Sequence, residues 1–178
     1  MTQTATLDAY GELIEPLTLK IQRLLPGPID RVWAYLTESE LRRQWLAAGA
    51  MEVKAGAPFT FTWRNNELSD PPGRTPEGFS AEHSLESRII DLVPGRKLVI
   101  AWNQGEVSFD LEPAGDKVLL TIIHRRLPDA TQLLNVSAGW HAHLDVLATK
   151  LGGKPQTASF WDGWTRLKAE YAKRLPAA

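Results

Sequence analysis

Val118-Leu119-Leu120-Thr121-Ile122-Ile123-His124-Arg125-Arg126-Leu127-Pro128 is the stretch on which the fold turns. Val118, Leu120, Ile122 and His124 share one parity, the two-residue period of a strand with one buried face. After Pro128 the period changes. Leu133, Val136, Trp140, Leu144, Leu147 and Leu151 recur at spacings of three and four and form one apolar stripe along a helix. Gly152, Gly153 and Pro155 stop that helix.

Upstream, the same two-residue period repeats. Leu98, Ile100 and Trp102 form one inward set, Val107, Phe109 and Leu111 the next, with turns at Pro94-Gly95 and Gly115-Asp116. Phe59, Phe61 and Trp63 alternate with polar neighbours, and His83, Leu85 and Ile89 share a parity. Asp70 to Gly78 is rich in Pro and Gly and reads as a flexible loop. Residues 52–126 therefore read as an antiparallel meander. Before it, Leu17, Leu19 and Ile21 mark a first strand, broken by Pro26, Gly27 and Pro28. A short helix buries Val32, Trp33 and Leu36. Thr37 with Glu40 has the capping-box pattern and opens a second short helix that buries Leu41 and Trp45 and ends near Gly49. At the far end Ser159 caps a last helix with Phe160, Trp164, Leu167 and Tyr171 on its apolar face. The expectation is one α+β domain over residues 1–178. It has an N-terminal tail (1–16), a curved antiparallel sheet wrapped around a long helix, and an additional helix (157–176) at the sheet edge or cavity mouth.

Composition narrows the function classes. A length of 178 residues with 43% hydrophobic and 23% charged content suits one soluble domain with a real core. A formal net charge of -1 gives no electrostatic reason to expect nucleic acid or an anionic membrane. With no cysteine, disulfides, thiolate nucleophiles and Cys-ligated metals are excluded. Residues 1–15 carry acids and no continuous apolar run, unlike a signal peptide, and no stretch approaches a bilayer span. A cytoplasmic protein is expected.

Aromatic usage is skewed, with seven Trp against three Tyr. Trp63, Trp102 and Trp140 fall on inward faces. They either pack the core or wall a cavity, with indole N–H groups as directional contacts. Phe59, Phe61, Leu98, Phe109 and Ile122 are further lining candidates. His124 points inward and is either a ligand-binding group or general base, or a structural histidine at a strand end. His83 lines the same cavity from another strand or sits on an exposed rim. His143 flanks the apolar stripe at the cavity edge. His141, four residues before Asp145, is expected on the surface. The spacing of His141 and His143 fails as a helical metal pair. A metal held by His83, His124 and His143 would lack a carboxylate partner, so neither metal nor cofactor is expected. Glu82 and Glu86 face away from His83, and Arg125 and Arg126 are read as solvated. No paired carboxylates, nucleophile elbow, phosphate loop or dinucleotide fingerprint is present.

Several pieces in order resemble a known family: Pro28-Ile29-Asp30-Arg31-Val32-Trp33, Leu36-Thr37, Leu41 and Trp45, Arg96 to Trp102, Leu120 to Pro128, and Gly139-Trp140-His141-Ala142-His143-Leu144. The chain is similar to the heat-shock-protein-90 ATPase-activator-homologue-like family of the START-like (SRPBCC, birch-pollen-allergen-like) superfamily. That resemblance implies a helix-grip fold around a cavity, and three functions. The first is binding of a small hydrophobic or aromatic molecule, for which the inward-facing pattern, not the resemblance, supplies Trp63, His83, Trp102, Phe109, Ile122, His124, Trp140 and His143 as the ligand-binding set. The second is a cyclase, dehydratase or hydrolase with His124 or His143 as base. The third is a chaperone-linked module acting in the stress response. Homodimerisation through the final helix or a sheet edge is a further expectation.

Overall fold

The computed structural model describes residues 8–175. Seven strands form one antiparallel sheet in the order β1-β2-β7-β6-β5-β4-β3. They are β1 (Glu12–Glu15), β2 (Thr18–Pro26), β3 (Pro58–Trp63), β4 (His83–Val93), β5 (Lys97–Trp102), β6 (Gly105–Ala114) and β7 (Lys117–Arg125). Two short helices, α1 (Ile29–Thr37) and α2 (Ser39–Arg42), follow β2; α3 (Ala130–Leu151) and α4 (Phe160–Arg174) close the chain. This is an α+β helix-grip fold.

Register explains the core. Ile122 of β7 stands opposite Ile21 on one side and Phe109 on the other. Phe109 stands opposite Leu98, and Ile100 opposite both Val107 and Ile89. Directly opposed residues share a face, so these side chains form one apolar surface. All are buried, and Leu133, Trp140, Leu144, Leu147 and Leu151 of α3 join the same cluster. A register shift in β4 between Ile89 and Asp91 adds the local bend that a wrapping sheet needs. Asp129 caps α3, its carboxylate accepting the Gln132 N–H at 2.8 Å.

The second face of α3 carries α4. Ala138 and Ala142 are small enough for close approach, and Phe160, Trp161, Trp164, Leu167 and Tyr171 bury against them. The Ser159 hydroxyl caps α4 as expected, accepting from the Asp162 N–H. Helix α4 thus lies on α3, with its start at the cavity mouth and its end, through Tyr171 and Arg174, beside the segment that enters the edge strand β1. Of the expected span 157–176, Pro176 lies outside the described residues.

Two local readings need correction. Residues 12–15 are not tail: they form β1, paired with β2 through a turn in which Leu17 has φ 57°. Their acidic ends, Glu12 and Glu15, hid the strand; residues 1–7 lie outside the described residues. Thr37 does not open α2. It is the buried last residue of α1, and its hydroxyl donates to the Trp33 carbonyl one turn back at 3.0 Å. Glu38 is the N-cap of α2, without a side-chain bond.

Candidate functional site

Four histidines and seven tryptophans supply the chemistry. His124 ends the inward row of β7 and is buried. The Trp140 indole N–H donates to its Nδ1 at 3.1 Å. An indole can only donate, so Nδ1 accepts and the neutral ring keeps its proton on Nε2. No lone pair remains to take a proton. Burial pushes the imidazole pKa down to about 3. In this arrangement His124 orients Trp140.

His143 is buried on α3, and its Nδ1 lies 2.7 Å from the Trp45 carbonyl. A carbonyl only accepts, so Nδ1 carries the proton and Nε2 keeps its lone pair. Burial lowers the pKa to about 4, against the opposing pull of that backbone bond. The ring packs 4.4 Å from Phe160. His83 is exposed and sits 5.7 Å from Trp63 across the β3–β4 pair.

His141 corrects the surface reading. It is buried, because α4 covers the side of α3 on which it lies. Its Nδ1 is 2.8 Å from the Tyr171 hydroxyl, which also accepts the Gly11 N–H at 2.8 Å. Its Nε2 approaches Asp145 at 3.7 Å, and Asp145 pairs with Arg23 at 3.2 Å. Burial lowers the His141 pKa to about 4 and raises that of Tyr171 to about 12.

Between the β3–β5 side of the sheet, α3 and α4 lies a cavity of about 440 Å³. Trp63 and Trp102 reach it from the sheet, Trp140 from α3, and Trp161 and Trp164 from α4. Trp102 stands 5.4 Å from Trp63 and 5.6 Å from Trp140 between ring centres; Trp161 and Trp164 are 5.4 Å apart. Phe79, on the loop before β4, lies over both α4 rings at 5.5 and 5.1 Å and is 42% exposed. His83, Leu85, Val136 and His143 complete much of the wall.

The structure therefore brings Trp63, His83, Trp102, Trp140 and His143 to one cavity. Phe109, Ile122 and His124 stand apart from its lining: Phe109 and Ile122 are core residues, and His124 sits behind Trp102 and Trp140, 5.0 Å from the Trp102 ring. The Phe59, Phe61 and Leu98 side chains are likewise core. His83, His124 and His143 do not converge on a metal; among the described residues no three His, Asp or Glu side chains do. The indole N–H of Trp140 is committed to His124, and that of Trp164 to the Asn135 carbonyl at 3.1 Å.

Several lining residues escaped the sequence reading. Phe160 and Trp164 read as the apolar face of a helix at the sheet edge or cavity mouth, not as lining residues. Trp161, Asn65, Asn135 and Phe79 carried no periodic signal. Gly139 also lines the cavity, and a Cβ built there would meet nothing within 4 Å. A second groove, about 390 Å³, lies between the segment around Tyr10, Lys20 of β2 and Arg174 at the end of α4. Its walls carry charge.

No curated protein matches the chain. The family model described as "Activator of Hsp90 ATPase homolog 1-like protein" matches residues 26–152. The chain belongs to this family. A solution structure, that of the protein encoded by gene BPP1335 of Bordetella parapertussis, is 33% identical, with 98% of this chain and 96% of that one covered at a TM-score of 0.77. CalU16 from Micromonospora echinospora shares the fold at 20% identity, 88% and 86% coverage and a TM-score of 0.62. DynU16, a protein in the dynemicin biosynthetic locus, does so at 18% identity, 80% and 50% coverage and a TM-score of 0.63. The family-model match ends at residue 152, before α4, whereas the Bordetella parapertussis structure aligns over 98% of the chain. No helix among the described residues is long and apolar enough to cross a membrane.

Proposed function

We propose that this chain binds a small, uncharged hydrophobic or aromatic molecule in the cavity between sheet and helices. The observation that carries the reading is the lining itself: five of seven tryptophans, and no Asp, Glu, Lys or Arg. Its histidines do not add charge at neutral pH where they are buried, as His143 is. A carboxylate or ammonium entering such a wall would lose its hydration without gaining a counter-ion. A flat apolar ring loses little and meets aromatic faces on several sides.

Gly139 supports the same reading. A glycine in a helix interior costs about 0.5–1 kcal/mol relative to alanine. Nothing packs where its side chain would stand, so close helix packing does not account for it. What lies there is the cavity. Gly139→Leu is expected to keep the fold and fill the space.

The test is native mass spectrometry of the purified chain, before and after incubation with neutral aromatic compounds. The expected result is a stoichiometric added mass that is lost on denaturation and does not form with Gly139→Leu. A bare mass throughout, or uptake equal in the filled variant, defeats the reading.

A further inference from the structure

His143 lines the cavity and is only 6% exposed. Its two ring nitrogens differ. Nδ1 gives its proton to the Trp45 carbonyl at 2.7 Å, so the neutral ring keeps a bare lone pair on Nε2. Nothing among the described residues donates to that lone pair. Four other side-chain atoms also lack a partner: Asn65 Oδ1, Asn135 Oδ1, Ser137 Oγ and Trp161 Nε1. Those four are sealed even from a water-sized probe. His143 Nε2 is not one of them. It is unpartnered and reachable, and what opens at this residue is the cavity.

The surroundings keep the approach clear. One face of the ring packs against Phe160, at 4.4 Å and 34°. A helical side chain leans over the turn N-terminal to its own Cα. One turn back from His143 is Gly139, where a Cβ would meet nothing within 4 Å. The nearby indole donors are turned elsewhere, Trp140 to His124 and Trp164 to the Asn135 carbonyl. A guest that displaces water from Nε2 must bring a proton of its own or forfeit a hydrogen bond. That donor has to be uncharged, because an ammonium would enter a lining without Asp or Glu. A carboxylate has no proton to give. What remains is an O–H or N–H on a neutral ring.

Resting on the cavity reading above, we infer that His143 Nε2 is the specificity-determining acceptor of this site, and that the ligand is an apolar ring bearing a neutral hydrogen-bond donor. The ring lies among the tryptophans and its O–H or N–H points at Nε2. Ethers and plain hydrocarbons of the same shape are disfavoured.

The experiment is equilibrium dialysis of the full chain against two pairs of compounds, 2-naphthol with 2-methoxynaphthalene and indole with 1-methylindole. In each pair a methyl group replaces the donated proton. The donor is expected to bind at least about tenfold more tightly than its methylated partner in one pair or both, and the pair that responds tells hydroxyl from N–H. His143→Asn offers an amide N–H to Trp45 in place of Nδ1 and nothing in place of Nε2. It is expected to cut the preference several-fold and to leave the affinity of the methylated compounds unchanged. Where that variant fails to fold by circular dichroism, the nitrogen-15 resonance of His143 Nε2 in the unaltered chain decides. It is expected to move upfield with the donor and to stay in place with the methylated partner. Equal binding within both pairs, a preference untouched by His143→Asn, or a resonance unmoved by the donor overturns the inference and leaves the cavity reading standing. Failure of all four compounds to bind overturns both.

Discussion

Trp140 is held by one hydrogen bond to a histidine that is itself out of water. Trp140→Phe keeps most of the ring area but leaves His124 Nδ1 buried and unpaired, a loss of about 1–3 kcal/mol in urea unfolding. His124, His141 and His143 titrate in the fold near 3, 4 and 4, below the ordinary value of 6.5. Between those values the unfolded chain binds protons that the folded chain refuses, so acid favours unfolding. Stability is expected to be full above pH about 6.5 and to fall steadily toward pH 4. Urea midpoints from pH 8 to 4 check this, and a flat profile between 7 and 5 would contradict the burial of all three. Strand parity alone placed His124 inward. It could not place His141, because the helix that buries it arrives from sequence far downstream.

Asp129 is an N-cap that the sequence did not single out, and Asp129→Ala is expected to cost about 1 kcal/mol through α3. Gly139→Ala in the same helix should gain roughly 0.5–1 kcal/mol, since the new methyl meets no obstacle. The two opposite shifts are readable in one denaturation series. The long apolar stripe made α3 legible. Its second face was not, because Ala138 and Ala142 are too small to register as a buried surface. Arg42 was missed for a related reason. A charged residue ending a short helix reads as solvated, yet it is buried. Its guanidinium donates to the carbonyls of Leu36, Ala47 and Gly49 and lies 4.8 Å over the Phe61 ring. Burial lowers its pKa to about 10. It ties α2 to the end of α1 and to the following loop through backbone carbonyls, which leave no mark in a residue pattern, and it meets β3 only through the Phe61 ring.

At the scale of the molecule, the N-terminal strand is fastened through the end of the chain. Tyr171 of α4 accepts from Gly11 just before β1 and meets His141 of α3. Tyr171→Phe is expected to speed hydrogen exchange across Gly11–Glu15 more than in β5–β7; equal change throughout would mean the hydroxyl holds nothing locally. The meander and the long helix it grips were legible because alternation and turns recur from residue 58 to 126, whereas β1 and the pairing of β2 with β7 were not. The cavity was legible only in part. Large rings announced themselves, whereas the asparagines and the open space beside Gly139 exist only once three elements meet.

The crowding of indoles has an optical consequence. Tryptophan dominates ultraviolet absorption and emission in proteins, and five of the seven here surround one space at centre separations such as 5.4 and 5.6 Å. At that range excitation passes readily from ring to ring. The emission of the whole chain is therefore chiefly a report from the cavity, and an occupant that quenches one indole dims its neighbours too. The molecule carries its own lamp at the place where a guest would sit.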